Sequence, residues 1–388
     1  KDKQFFAARD LLHANKKNLS AFHQLKLGAE IDNVFNQLAA SNAKIDDLMQ
    51  GYSDQLNDTM RYHLSDIRQS NSARLFDYQK ALESAHEIIG KYPHLMPEHE
   101  LADYKNTRII WQALAGQPKQ EVIIKEKVVI NMTRDKARLA NLPVSNSLDS
   151  LGFIFDTGAN ISTITESTAT RLRMTLMDSV IDVTSITGQK IKSRIAICKD
   201  LYIRSIHVKN AIFLVFPDAA LYIPQIDYQI NGILGFPVIA AMGEVQLSRK
   251  DEFVVPLQHS TPTRYNMALD FLTPVIEIAG DSYTFDTGAT STMLYLPYFQ
   301  KHKKTIEGEY KEKPLSFGGA GGSITKTGYE IHFDAPIGDQ VIHLDDIMLF
   351  SEQIKEHGDH YYGNIGQDLI KKFETMTLNF KAMFILFE

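Results

Sequence analysis

Apolar residues in the first third of the chain recur at helical spacing. Leu27, Ile31, Val34, Phe35 and Leu38 stand at i, i+4, i+7, i+8 and i+11, the spacing of one buried helix face. The stretch FDYQKALESAHEIIGKYP, residues 76–93, repeats that period and runs out in Gly-Lys-Tyr-Pro, where glycine and then proline stop a helix. A last helix is expected over residues 104–115, ended by Gly116 and Pro118. Beyond Pro118 the period changes. EVIIKEKVVINM is short and rich in β-branched residues, and strand-like runs separated by Gly, Asn and Asp continue to the C-terminus. The pattern predicts a multidomain chain, an all-α helical array over residues 1–117 followed by two all-β lobes over residues 118–260 and 261–388.

The β-rich part repeats itself. FIFDTGANISTI at residues 153–164 is answered by YTFDTGATST at residues 283–292, so Asp156 and Asp286 each follow an apolar strand and open a D-T-G-A turn, 130 residues apart. LPVSNSLDSLGFIFDTGA parallels TPVIEIAGDSYTFDTGA, NGILGFPVI parallels YGNIGQDLI, and VQLSRKDEFVVP parallels MTLNFKAMFILF. One D-T-G-A alone reads as an Asp-initiated turn after a strand. Two copies with matching surroundings make an internal duplication.

Peptide hydrolysis needs a nucleophile, a polarised carbonyl and a proton for the leaving nitrogen. Two carboxylates facing each other across a pseudo-two-fold axis supply all three with one water. Like charges that close cannot both ionise, so one pKa rises and the pair shares a proton. The ionised partner acts as general base on the water while the protonated one hydrogen-bonds the carbonyl. The two groups titrate together, which leaves the proton's owner open between Asp156 and Asp286. Gly158 and Gly288 permit backbone angles closed to other residues and bring N–H groups up to the carboxylates. Thr157 and Thr287 carry short hydroxyls able to bond across the axis. Phe153, Phe155, Tyr283 and Phe285 would bury the strands that carry the pair.

With both D-T-G-A turns and both later elements, Ile233-Leu234-Gly235 and Asn364-Ile365-Gly366, residues 125–388 resemble the aspartic peptidases of the retropepsin and pepsin superfamily. The resemblance implies a bilobal acid-protease fold of closed β-barrel lobes and an extended peptide or protein substrate bound as an added strand. It implies catalysis by Asp156 and Asp286 with no cofactor and no metal, a grip between Thr157 and Thr287, and Gly235 and Gly366 bracing the catalytic loops. Ala159 and Ala289 stand where pepsin-like enzymes usually carry Ser or Thr, as in retropepsins. Losing that hydroxyl removes one stabiliser of the ionised form, so a working range above about pH 4 is expected. Flaps are expected at SITGQKI around Gly188 and at SFGGAGGSI, with Gly318, Gly319, Gly321 and Gly322; neither carries the flap tyrosine of pepsin-like enzymes. Ile186, Ile233 and Phe317 are candidates to line apolar subsites. The whole resembles a single-chain, fused retropepsin dimer. The rival reading is an inactive bilobal peptide-binding protein with a helical docking domain.

Residues 76–93 also resemble one helix and turn of a tetratricopeptide repeat. No period is evident around them, so an irregular array of helical hairpins is expected. It would serve as a stabilising or dimerising appendage by default, and otherwise dock a protein partner or cap the cleft.

The bulk numbers narrow the field. A length of 388 residues suits two or three domains, and 44% hydrophobic with 23% charged residues is ordinary for a globular chain. A net charge of -6 argues against nucleic acid as a partner. No apolar stretch is long enough to span a bilayer as a helix. The one cysteine, Cys198, cannot form an internal disulfide, which suits a bacterial envelope or periplasm, favoured here, or a cytoplasm. A start at Lys1 is expected of a chain that has lost a leading segment. Cys198 and Trp111 are expected in the core. The remaining motifs fall short: residues 318–322 lack the Gly-Lys-Ser/Thr of a phosphate loop, and His86-Glu87 has Gly90 where a second histidine is needed. His357 and His360 of HGDHYY have no second ligand cluster and read as a solvated loop.

Overall fold

Six helices, three of their junctions made by short 3₁₀ turns, occupy the first 114 residues: α1 (Phe5–Asn15), α2 (Ala21–Val34), α3 (Leu38–Gly51), α4 (Asp58–Arg74), α5 (Tyr78–Lys91) and α6 (Glu98–Leu114). The computed structural model describes residues 3–146, 149–184, 190–262, 264–319, 322–354 and 360–388. Ser20, Asn57 and Asp77 cap α2, α4 and α5 by accepting the N–H of the residue three positions on, which satisfies one orphan donor at each start. The expected continuous face from Leu27 to Leu38 is interrupted. α2 ends at Val34, Asn36 turns the chain with φ of 60°, and Leu38 opens α3. The apolar spacing survived because α2 is buried on two sides: Phe22 and Ala29 face the array's own core, whereas Ile31 and Val34 pack toward the β-lobes. α6 begins at Glu98 rather than residue 104, with Glu98 and Glu100 in its first turn where the helix dipole favours acids.

The array is regular, contrary to expectation. α3, the 3₁₀ turn Ser53–Gln55 and α4 match α5, Pro93–Leu95 and α6 element for element at an offset of 40 residues. Asn36 and Phe76 take nearly the same positive φ, 60° and 55°, between hairpins. What repeats at the helix contacts is burial, as in Leu38 and Tyr78, Ile45 and Ala85, or Leu48 and Ile88. Residue identity does not repeat, so no period was visible.

After α6 the chain is β-rich. EVIIKEKVVINM forms two strands, Glu121–Ile123 and Val128–Asn131, in different sheets. In the first lobe the ladder runs from Lys190–Ile203 through Ile206–Phe216, Ser162–Thr165, Gly232–Leu234, Ser150–Phe155 and Ala140–Ser145, then back to Lys190–Ile203, closing a ring. The second lobe orders its strands in the same sense: Thr273–Ile278, Asp281–Phe285, Gly363–Ile365, Met293–Leu294, Gln340–Phe350 and Gly322–Ile337. Among the described residues no ladder joins its last strand to its first, so the closing pairing of the first lobe is not repeated here. It also carries a 14-residue helix, Leu296–Glu309, which buries Phe299 and Ile306.

A third sheet belongs to both lobes. Val128–Asn131, Glu252–Val255, Glu244–Ser248, Thr375–Asn379 and Phe384–Phe387 lie side by side. Its central pairing sets Gln246 opposite Thr377, two positions equivalent in the duplication, so the pseudo-two-fold axis passes through that pair. At the edge of this ladder Glu244 is fully buried. Its carboxylate accepts from the Ser260 N–H at 2.7 Å, the Ser260 hydroxyl at 2.8 Å, the Asn379 amide at 2.7 Å and the Gln246 amide at 3.2 Å, so four donors meet its desolvated lone pairs.

Candidate active site

Each aspartate sits one residue beyond a buried strand. Phe155 and Phe285, the last residues of those strands, are both 0% exposed and fix the point at which Asp156 and Asp286 emerge. The Asp156 N–H donates to the Leu234 carbonyl at 3.1 Å, and the Asp286 N–H to the Ile365 carbonyl at 3.0 Å. Both carboxylates then curl back onto their own turns. Asp156 Oδ1 accepts from the N–H groups of Gly158 at 2.8 Å and Ala159 at 3.1 Å, while Asp286 Oδ1 accepts from Gly288 at 2.7 Å. In the second turn the Ala289 N–H goes to the Asp286 carbonyl instead, so the two halves differ by one donor.

The turns meet face to face. A Cβ on Gly158 would lie 2.6 Å from Asp286 Cγ, and one on Gly288 would lie 2.4 Å from Asp156 Cγ. Those separations are far inside carbon–carbon contact, so each glycine is needed to let the opposite carboxyl approach. The threonines lock the approach reciprocally. The Thr157 N–H donates to Thr287 Oγ1 and the Thr287 N–H to Thr157 Oγ1, both at 3.0 Å. Each hydroxyl passes its own proton to a strand of the other lobe, Thr157 to the Phe285 carbonyl at 3.2 Å and Thr287 to the Phe155 carbonyl at 3.0 Å.

Burial pushes the Asp156 carboxyl well above its ordinary range. The charge of Asp286 and a side-chain hydrogen bond to it act in the same direction, against the two turn N–H groups. The site therefore favours one proton shared between the two carboxyls.

Gly235 and Gly366 lie against the two turns. The Gly235 N–H donates to Ser162 Oγ at 3.0 Å and the Gly366 N–H to Thr292 Oγ1 at 3.2 Å. Side chains there would strike the loop backbone, 2.7 Å from Ala159 O and 2.6 Å from Ser291 C respectively. The next N–H in each lobe, from Phe236 and Gln367, closes on the carbonyls of Ala159 and Ala289 at 2.8 and 2.9 Å. Ser162 and Thr292 went unnoticed in the sequence, although each stands six residues after its aspartate. Gln367 was missed too. Its amide donates to the Thr287 carbonyl at 2.7 Å and accepts from Arg134, which is paired with Asp251.

Of the flap expectations, Gly188 and Ile186 lie outside the described residues, as do Ala320 and Gly321. The strand Ile181–Thr184 pairs with Lys190–Ile203 and so frames the first hairpin. The second hairpin pairs Lys313–Gly319 with Gly322–Ile337, setting Gly318 opposite Ser323 and Gly319 opposite Gly322, which has φ of 128°. Two subsite candidates are corrected. Phe317 packs on Phe350 at 5.0 Å between ring centroids, and Ile233 belongs to the cluster between helices and first lobe; both are buried.

The helical array touches the first hairpin directly. Asn106 on α6 donates from Nδ2 to the Asp182 carbonyl at 2.8 Å, and its Oδ1 accepts the Asp182 N–H at 2.9 Å. One side-chain amide thus fills the place of a neighbouring strand at that edge. Ile110, Trp111 and Leu114 of α6 join Ile181, Ile154 and Ile233 in one buried cluster.

Cys198 is buried, and desolvation pushes its thiol up to about 11, so it is inert. His86 and His360 are exposed, and His357 lies outside the described residues. A cluster not anticipated from the sequence, His332, Asp334 and His343, brings three ligand atoms within 4.8 Å of one another on an exposed hairpin. Its rings already bond to Asp334 and Asp345, an ion-paired ladder that a cation would have to break.

Residues 143–238, from the first lobe, match a family model described as aspartyl protease. No curated protein matches the chain. Among solved structures, basic 7S globulin from soybean is 9% identical with a TM-score of 0.42, covering 68% of this chain and 95% of its own. Conglutin gamma, a basic 7S globulin from lupine seeds, is 10% identical with a TM-score of 0.41, covering 68% and 94%. Likenesses that low say nothing about function. No described helix is long and apolar enough to cross a membrane. The strand order of the two lobes, their paired D-T-G-A turns and the matched family model make the β-rich part an aspartic-protease-like fold behind an all-α helical array.

Proposed function

We propose that the chain is an aspartic endopeptidase of retropepsin-like, fused-dimer type, in which Asp156 and Asp286 activate one water against a peptide carbonyl. One observation carries the reading: two carboxyls from two lobes approach so closely that only glycine fits opposite each, and a reciprocal threonine grip holds them there. A binding module has no need of that approach, which costs repulsion and desolvation. The partner with the lower proton affinity takes the water's proton as the oxygen attacks, and the protonated carboxyl hydrogen-bonds the carbonyl oxygen. The proton then passes to the leaving nitrogen, which restores the shared state. The substrate is an extended peptide laid between the two hairpins and paired as an added strand. Helix α6 sets the position of the first hairpin, and the helical array is read as a tetratricopeptide-like scaffold for it.

The test is cleavage of a mixed peptide library from pH 3 to 8 by wild type, Asp156→Asn and Asp286→Asn. Cutting by wild type that either substitution abolishes supports the dyad. Peptide binding without cutting at any pH, by the full chain and by residues 118–388, replaces the peptidase with a bilobal binding protein.

A further inference from the structure

A cavity of about 560 Å³ opens where α3 to α6 meet both lobes, within the size range of small-molecule sites. Its walls include Leu38, Phe76, Trp111, Leu114, Ile161 and Phe236, and among the described residues the one charged side chain lining it is Arg74. Neither aspartate of the dyad takes part. Arg74 Nη2 donates to the Asn33 carbonyl at 2.7 Å. Its Nε and Nη1 are buried with no hydrogen-bond partner, and so is the indole nitrogen of Trp111. No carboxylate among the described residues forms an ion pair with this guanidinium. Burial alone pushes its pKa down to about 9, so it is still a cation at neutral pH. An unpaired buried cation costs several kcal/mol, and native chains supply such groups with a counter-charge.

We infer that this cavity binds a small amphiphile with a carboxylate head and an apolar tail. The head accepts the Arg74 N–H groups that no protein atom takes, and the tail lies along the wall formed by Leu38, Phe76, Trp111 and Leu114. A charge-assisted hydrogen bond is the strong kind, and here it is made out of reach of water. The same chemistry is offered by a fatty acid and by the free C-terminus of an apolar peptide.

Trp111 is the chain's one tryptophan, so its fluorescence reads occupancy directly. Full-length protein is titrated, below micelle formation, with dodecanoate, dodecanol, and an apolar pentapeptide ending in a free carboxylate or an amide. The expected result is saturable change with at least one carboxylate, at least tenfold tighter than its uncharged partner, accompanied by a rise in Tm. Whether dodecanoate or the peptide acid wins identifies the source. Arg74→Met is expected to erase the preference for the acid. Should that variant fail to fold, Ala40→Phe, which adds bulk at an exposed position of the cavity wall, is expected to weaken binding at least tenfold. The inference is overturned if no carboxylate gives a saturable change, if acid and alcohol bind equally, or if the folded variants bind like wild type.

Discussion

Thr157→Val exchanges the hydroxyl at the centre of the grip for a methyl of similar size. Thr157 is 0% exposed, so water cannot replace the lost partner without the loops parting. Two backbone groups of the other lobe are stranded, the Thr287 N–H at 3.0 Å and the Phe285 carbonyl at 3.2 Å. A buried polar group left unsatisfied costs about 1–3 kcal/mol, so the two together put the loss at about 2–6 kcal/mol. Global unfolding is a poor gauge in a chain of several domains, where a single transition is not assured. Amide hydrogen exchange at Thr287 reads the site itself. At tenfold per 1.4 kcal/mol, the low end of the range speeds exchange by roughly 30-fold. The Thr157 N–H keeps its bond to Thr287 Oγ1 and is expected to lose less protection. Thr157→Ser keeps the oxygen and is expected to retain most of the protection at Thr287. Exchange at Thr287 unchanged within threefold in Thr157→Val, or equal loss in Thr157→Ser, would refute the assignment of the grip as the element that joins the turns.

Gly288→Ala places a methyl 2.4 Å from Asp156 Cγ and must force the carboxyls apart; peptide cleavage is expected to fall at least about 100-fold with the fold retained, as judged by circular dichroism. Asp156 has a raised folded pKa, so its contribution to stability is full below the unfolded carboxylate pKa of about 4 and is lost as pH rises through the folded value. Asp156→Asn is therefore expected to raise Tm over wild type at pH 7, with no gain at pH 3.5; an equal gain at both pH values contradicts it. Asn106→Leu removes two hydrogen bonds from the first hairpin, each worth about 0.5–1.5 kcal/mol. Exchange at the Asp182 amide is expected to quicken and KM to rise more than kcat falls, and unaltered exchange would count against the helix as a hairpin holder.

What could be read in advance followed from local signals repeated twice. The D-T-G-A turns needed only Asp156, Asp286 and their glycines to be recognised, because backbone freedom and carboxylate chemistry are properties of those residue types. Gly235 and Gly366 were found by register with the same repeat. Ser162 and Thr292 were not, since a short hydroxyl in a turn has many uses and only the threaded strand behind the loop selects this one. The 40-residue helical offset stayed hidden because helix contacts conserve burial rather than identity, which Ile45 and Ala85 satisfy with side chains of different size. Asn106 and Arg74 were beyond reach for another reason. Their roles are set by atoms more than 30 residues away, Asp182 for one and Asn33 for the other, or by partners the chain lacks.

The sheet centred on Gln246 and Thr377 has an evolutionary consequence. In a pair of identical subunits every substitution is written twice, so neither side can change its task alone. Two halves in one chain, joined by a shared sheet, are free of that constraint. One half has its hairpin edge held by a helix, through Asn106 and Asp182, while the other carries the long hairpin from Lys313 to Ile337. The D-T-G-A turns that face each other across the axis, and the glycines behind them, are alike in both halves. Two halves in one chain can divide their labour wherever they need not match.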